Sequence, residues 1–191
     1  MKRTCRTVFV AVATFISTST FAAPAEQADC PYDALAQQER ELVGRTMFAQ
    51  MGGDKDLAPE PSSIAEAQTA MEAAMDQCVT ANEWTENEAS SAFSYASTRM
   101  LADVAKGYVQ RFGGDAAVAD LFFAQNKYQI LEEGAAGNDS RDWANTRLVE
   151  MGFAKAKSPA FDAVWLYLGL LFQIDEQREA FITGQKPEWS K

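Results

Sequence analysis

The side chains in this chain that could do chemistry are carboxylates. No histidine occurs among the 191 residues. That absence removes Ser–His and Cys–His nucleophile pairs, the commonest general base, and nearly every zinc or haem site. Ser-x-x-Lys, Gly-x-Ser-x-Gly, the Gly-rich phosphate loop and the dinucleotide fingerprint are absent as well. The acids fall in small groups. Asp54, Asp56 and Glu60 share one polar loop. Hard cations want several oxygen ligands, but the acidic ladder and glycine of an EF-hand are missing, so a solvated loop is expected and no metal or cofactor. Glu83, Glu86 and Glu88, and then Asp139 and Asp142, cluster at helix starts, where the macrodipole favours negative charge.

Asp175 is the one weak candidate for catalysis. It continues the face made by Phe161, Val164, Leu168 and Phe172, with Arg178 as a partner one turn on. In an apolar cleft it would act as a general acid of raised pKa. At the rim of a core it would be an ordinary paired carboxylate. A carboxylate-dependent hydrolase, for instance on glycan, would need a second acid about 5–10 Å away in the same cleft.

The elements that position these residues read as helices. Phe161–Ile174 is apolar in every direction around a helix, which marks a helix buried on all sides. About 15 residues reach about 22 Å, too short for about 30 Å of hydrocarbon. Ser158–Pro159 starts this post and Gly184 ends it. Before it, the spacing predicts a helix over Pro31–Met51, then a loop over Gly52–Pro61. The next helix is expected to open with the capping box Ser63–Glu66 and to carry the stripe Ile64, Ala67, Met71, Met75, Cys78 and Val79. A second capping box, Thr85–Glu88, starts a helix with the stripe Ala89, Ala92, Phe93, Ala96, Met100, Val104 and Tyr108, flanked by the staple positions Trp84 and Ala89. Asp115 caps a fourth helix with Val118, Leu121, Phe122, Tyr128 and Leu131 inward. Gly134–Asn138 breaks the chain, and Asp139 or Ser140 caps a fifth carrying Trp143, Leu148 and Met151. Nothing alternates with period two. The expectation is all-α: a compact bundle of about six helices, antiparallel hairpins around a central C-terminal apolar helix, with one disulfide.

Trp165-x-x-Leu168-Gly169-x-x-Phe172 resembles the first-helix pattern of tetratricopeptide and Sel1-type repeats, which are helical scaffolds that bind proteins. The resemblance covers one helix. Phe181 stands where those repeats place alanine, and no second unit follows.

Residues 1–22 read as a signal peptide. Lys2, Arg3 and Arg6 precede the apolar run Val8–Phe15, and Ala22 or Ala25 supplies the cleavage position. About 169 residues then remain, enough for one domain, taken as 26–184 with a frayed tail at 185–191. Cleavage removes those three positive charges and no acid, which takes the net charge from −10 to −13. Such a charge opposes binding to nucleic acid or anionic lipid. Cleavage also removes Cys5. The remaining Cys30 and Cys78 form an even pair in an exported chain and read as a disulfide closing a loop of about 49 residues. If the first two helices are antiparallel, these cysteines meet at their facing ends.

These readings give an expected periplasmic or secreted location and a non-catalytic binding or interaction protein of the cell envelope. Its partner would be an envelope protein. The alternatives are a carrier of a small apolar ligand, in a pocket lined by Phe122, Phe123, Trp143, Trp165 and Phe172, and the carboxylate-dependent hydrolase.

Overall fold

The computed structural model describes residues 23–135 and 140–185. The segment read as a signal peptide, most of the expected break at Gly134–Asn138, Asp139 and all of the tail after Gln185 lie outside the described residues. The described chain is all-helical: α1 Cys30–Ala34, α2 Gln37–Gln50, α3 Pro61–Asn82, α4 Glu86–Arg111, α5 Ala116–Ala135, α6 Ser140–Glu150 and α7 Ala160–Thr183. Short 3-10 turns precede α1 and follow α2. No described helix is long and apolar enough to cross a membrane.

The bundle forms around α4 and α7. The Thr85–Glu88 box closes as its sequence requires: Thr85 Oγ1 accepts from the Glu88 N–H, and the Glu88 carboxylate accepts from the Thr85 N–H at 2.7 Å. Ala92, Ala96, Ala102 and Ala105 are buried along α4. Their small side chains let α2 and α7 come close. The last turn of α7 meets the start of α4 through an edge-to-face contact of Phe181 with Trp84. The start of α7 meets the end of α4 where Ser158 Oγ donates to the Phe112 carbonyl. The two helices are therefore antiparallel. Val164, Leu168 and Phe181 on α7 are essentially inaccessible to water, and Gly184 ends the helix in the left-handed conformation at φ 66°.

Cys30 and Cys78 are bonded, joining the first residue of α1 to the last turn but one of α3. This bond ties together the two expected facing ends, although the first helix differs from its expectation. The predicted helix over Pro31–Met51 is broken at Leu35–Ala36. Leu35 takes an extended conformation (φ −84°, ψ 139°) and buries its side chain against Val43, Met71 and Ala96. Glu39 then accepts from the Ala36 N–H at 2.7 Å and starts α2. Burial of one leucine outweighs two or three helical residues. The Ser63–Glu66 box is not used. Pro61 occupies the first helical position, so Ser63 already lies inside α3. The post begins at Ala160, one residue later than expected, with its N–H donating to Ser158 Oγ at 3.2 Å. Asp115 does cap α5, accepting from the Ala117 and Val118 N–H groups.

The inward face of α5 is rotated from the expected one. Ala119, Phe122, Phe123 and Ile130 are buried, while Leu121, Tyr128 and Leu131 are more than half exposed. The reason is that α5 lies at the side of the bundle and meets α4, α6 and α7 over one narrow stripe. A polar triad fixes it there. Asp120 of α5 pairs with Lys106 of α4 at 2.7 Å and accepts from the Tyr167 hydroxyl of α7. Burial, and then the bond to Asp120, push the Tyr167 phenol well above its usual range. The folded state thus holds the Tyr167 proton more tightly than the unfolded chain does. The resulting stabilisation is complete below about pH 10 and is lost as pH climbs towards the higher folded value. Tyr167→Phe is expected to cost about 1–2 kcal/mol at pH 7. Its deficit relative to wild type should shrink above pH 10. Urea melts at pH 7 and pH 10.5 check this, and a deficit unchanged between the two would refute it.

Candidate functional site

The clearest candidate is a groove of about 650 Å³ between α2, α3 and α4. It exists because α3 packs mainly on α1 and α2 and touches α4 little. Met71 and Ala74 of α3 are buried with Val43 of α2 and Ala96 and Met100 of α4, which closes the floor at one level. Beyond that level the walls separate. Met47, Met71 and Met75 line the opening, with Phe93 at its edge. Methionine is unbranched and polarizable, and a surface rich in it adapts to apolar guests of differing shape.

Two hydroxyls in this groove behave differently. Thr46 Oγ1 donates back to the Leu42 carbonyl at 2.8 Å, one turn earlier in its own helix. Ser97 is 4% exposed, and its Oγ has no hydrogen-bond partner. Its neighbours on the same helix are provided for: Ser94 Oγ donates to the Ser90 carbonyl at 3.0 Å, and Ser91 Oγ reaches the Gln185 carbonyl. A buried hydroxyl left unpaired costs about 1–3 kcal/mol. Glu72 and Asp76, one turn apart on α3, are the charged groups among the lining residues. The groove therefore combines apolar walls, one unpartnered hydrogen-bonding group and an acidic rim. Such an arrangement can hold a neutral or cationic apolar molecule, and it disfavours an anion.

The residues singled out from sequence lie elsewhere. Asp175 is about half exposed and pairs with Lys127 of α5 at 2.7 Å. The expected partner, Arg178, is not the one used. The α5–α7 seam brings Lys127 to Asp175, a contact between distant segments that helical spacing cannot show. Solvent and a cation surround Asp175, in place of an apolar cleft. Phe122 and Phe123 belong to the main core, and Trp143, Trp165 and Phe172 are partly buried and pack against it. Phe123 packs edge-to-face on Phe172 at 4.8 Å, Phe122 lies 6.0 Å from Trp143, and Trp165 Nε1 donates to Asn145. Asp54 and Asp56 face Arg111 at 3.0 and 3.5 Å. Among the described residues no three His, Cys, Asp or Glu side chains gather as a metal site would require.

Sequence reading placed Met71 and Met75 on the inward stripe of α3 and Phe93 on that of α4. It missed that they border an opening. Phe93 is 47% exposed, because α3 stands off from α4 at that level. Ser97 carried one weak signal, a polar residue within a small-residue helix face. No protein family, curated protein or solved structure matches this chain.

Proposed function

We propose that the chain is an exported, non-catalytic binding protein of the cell envelope that holds a neutral or cationic apolar ligand in the methionine-lined groove. The unpartnered Ser97 hydroxyl among the lining residues carries the reading. Its oxygen is sealed from water in this structure, so a ligand that shifts the side chains lining the groove would supply a hydrogen bond that the protein alone forgoes. The size supports a small molecule, since ligand sites run at about 300–1,000 Å³. The basic and apolar start of the chain, together with the disulfide, supports export. Glu72 and Asp76 lie on a single wall, whereas a glycan hydrolase needs acids flanking the bond it cleaves. This weighs towards binding over hydrolysis.

The test uses N-phenyl-1-naphthylamine, a neutral apolar fluorophore, against its anionic analogue 8-anilinonaphthalene-1-sulfonate. The neutral probe is expected to bind and brighten, and the anion to bind more weakly. Phe93→Ala should weaken the neutral probe about 10-fold, because less apolar surface is then covered on binding. Ser97→Ala should stabilise the protein by about 1 kcal/mol, since it deletes an unsatisfied buried hydroxyl. Equal affinity in wild type and Phe93→Ala would refute the proposal, as would a Ser97→Ala protein less stable than wild type.

A further inference from the structure

A second groove, of about 540 Å³, opens where another flank of α2 faces α4. In a chain of net charge −10 it collects three arginines: Arg40 and Arg45 from α2 and Arg111 from α4. We propose that this groove binds a singly charged organic carboxylate with an apolar body.

Two of the guanidinium groups are positioned without being neutralised. Arg40 Nη1 donates to the Tyr32 carbonyl at 3.2 Å, and the guanidinium stacks 4.6 Å over the Tyr32 ring. Arg45 Nε donates to the Leu57 carbonyl at 2.8 Å. A backbone carbonyl fixes the direction of a guanidinium and leaves its charge in place. Among the described residues Arg40 makes no ion pair, and Arg45 has only the largely exposed Glu41 at 4.0 Å. Arg111 is different, because its two Nη atoms go to Asp54 and Asp56. A guanidinium whose Nε is already bonded still presents its Nη pair, and a carboxylate matches such a fork.

The remaining charges set the valence of the ligand. Glu41 and Asp103 are the acids that line the groove, and Asp103 accepts from the Tyr32 hydroxyl at 2.6 Å. Arg111 is already matched by Asp54 and Asp56, so Arg40 and Arg45 stand against Glu41 and Asp103 and the lining carries no surplus positive charge. A single carboxylate can use the two guanidinium forks, whereas the second charge of a phosphate dianion would meet no further cation. The apolar body is expected from Leu57 and Val104, which line the groove together with Gly107. Gly107 sits inside α4, where glycine costs about 1 kcal/mol relative to alanine. No packing explains it: a Cβ there would meet nothing within 4 Å. Its effect is to leave that part of the groove open.

Benzoate is the probe, titrated into the whole protein by calorimetry with backbone amide shifts followed in parallel. Benzyl alcohol supplies the ring without charge, and inorganic phosphate supplies charge without the ring. Benzoate is expected to bind about 10-fold tighter than either and to shift the amides of α2 and of residues around Gly107. Arg40→Gln and Arg45→Gln should each weaken it about 5–10-fold. Gly107→Leu should abolish binding in a protein that melts no lower than wild type. This variant decides the matter even if an arginine variant folds poorly. Benzoate no tighter than its comparators, shifts confined to other surfaces, or unchanged affinity in Gly107→Leu would overturn the assignment.

Discussion

Reducing the Cys30–Cys78 bond is expected to lower the unfolding free energy by about 4 kcal/mol, from the loop-closure entropy restored to the unfolded chain. The bond spans a sequence separation of 48. That loop contains α1, α2 and most of α3, which supply much of the wall of both grooves. α3 has little hold on α4, so it depends on α1, α2 and the bond itself. Cys78 is fully buried beside Trp84 and Tyr95, and its carbonyl accepts from Asn82 Nδ2 at 2.9 Å. Reduction should therefore free α3 before the α4–α7 pair melts. Two measurements check this. Urea melts with and without reductant, repeated on a Cys30→Ala/Cys78→Ala variant, give the stability loss. Hydrogen exchange should show α3 amides deprotected first. A loss below about 1 kcal/mol, or exchange rising uniformly across the helices, would count against the account.

Gly44→Ala should be nearly as damaging, and for a steric reason. A Cβ at Gly44 would lie 2.4 Å from the Met100 carbonyl oxygen and 2.9 Å from Val104 Cγ2. The nearest atom is helical backbone, which cannot swing aside. Alanine gains about 1 kcal/mol of helix propensity, but the overpacking outweighs that gain, for a net loss of about 2–3 kcal/mol. Relief requires α2 to move off α4. Since α2 borders both grooves, the naphthylamine probe and benzoate should both bind more weakly. Gly107→Ala provides the contrast within α4: no atom opposes its Cβ, so stability should hold or rise by up to about 1 kcal/mol. Thermal melts of the two variants side by side test the pair. Equal melting temperatures would show that the α2–α4 contact is looser than described.

How much was legible in the sequence varies by element. The Thr85–Glu88 box, the Asp115 cap and the glycine stop at Gly184 were readable because each depends on residues within one turn. The cysteine pairing was readable because Cys5 falls in the segment read as a signal peptide, which leaves Cys30 and Cys78 to pair. The break at Leu35–Ala36 was not, because local spacing favoured a continuous helix and burial of Leu35 decided otherwise. The face of α5 was misread for a related reason. Leu121, Tyr128 and Leu131 are as apolar as the residues that are buried, and only the position of α5 at the side of the bundle selects between them.

The candidate site was the least legible part. Met71, Met75 and Phe93 were each assigned to a helix face correctly enough for a core. Whether such a face closes or gapes depends on the distance between helices. Asp175 shows the same limit, since its partner Lys127 comes from a helix some 48 residues away.

The sequence by itself determined the all-α class, the helix ends that local caps define, the lack of imidazole chemistry and the one available disulfide. These follow from residue type and from periods of three to four residues. Only the tertiary structure decided which apolar residues are covered, that Ser97 lacks a partner and that Arg40 and Arg45 line one groove. Those outcomes rest on interhelical spacing. That spacing is set by contacts such as Gly44 against Met100, where the absence of a side chain lets two distant helices touch.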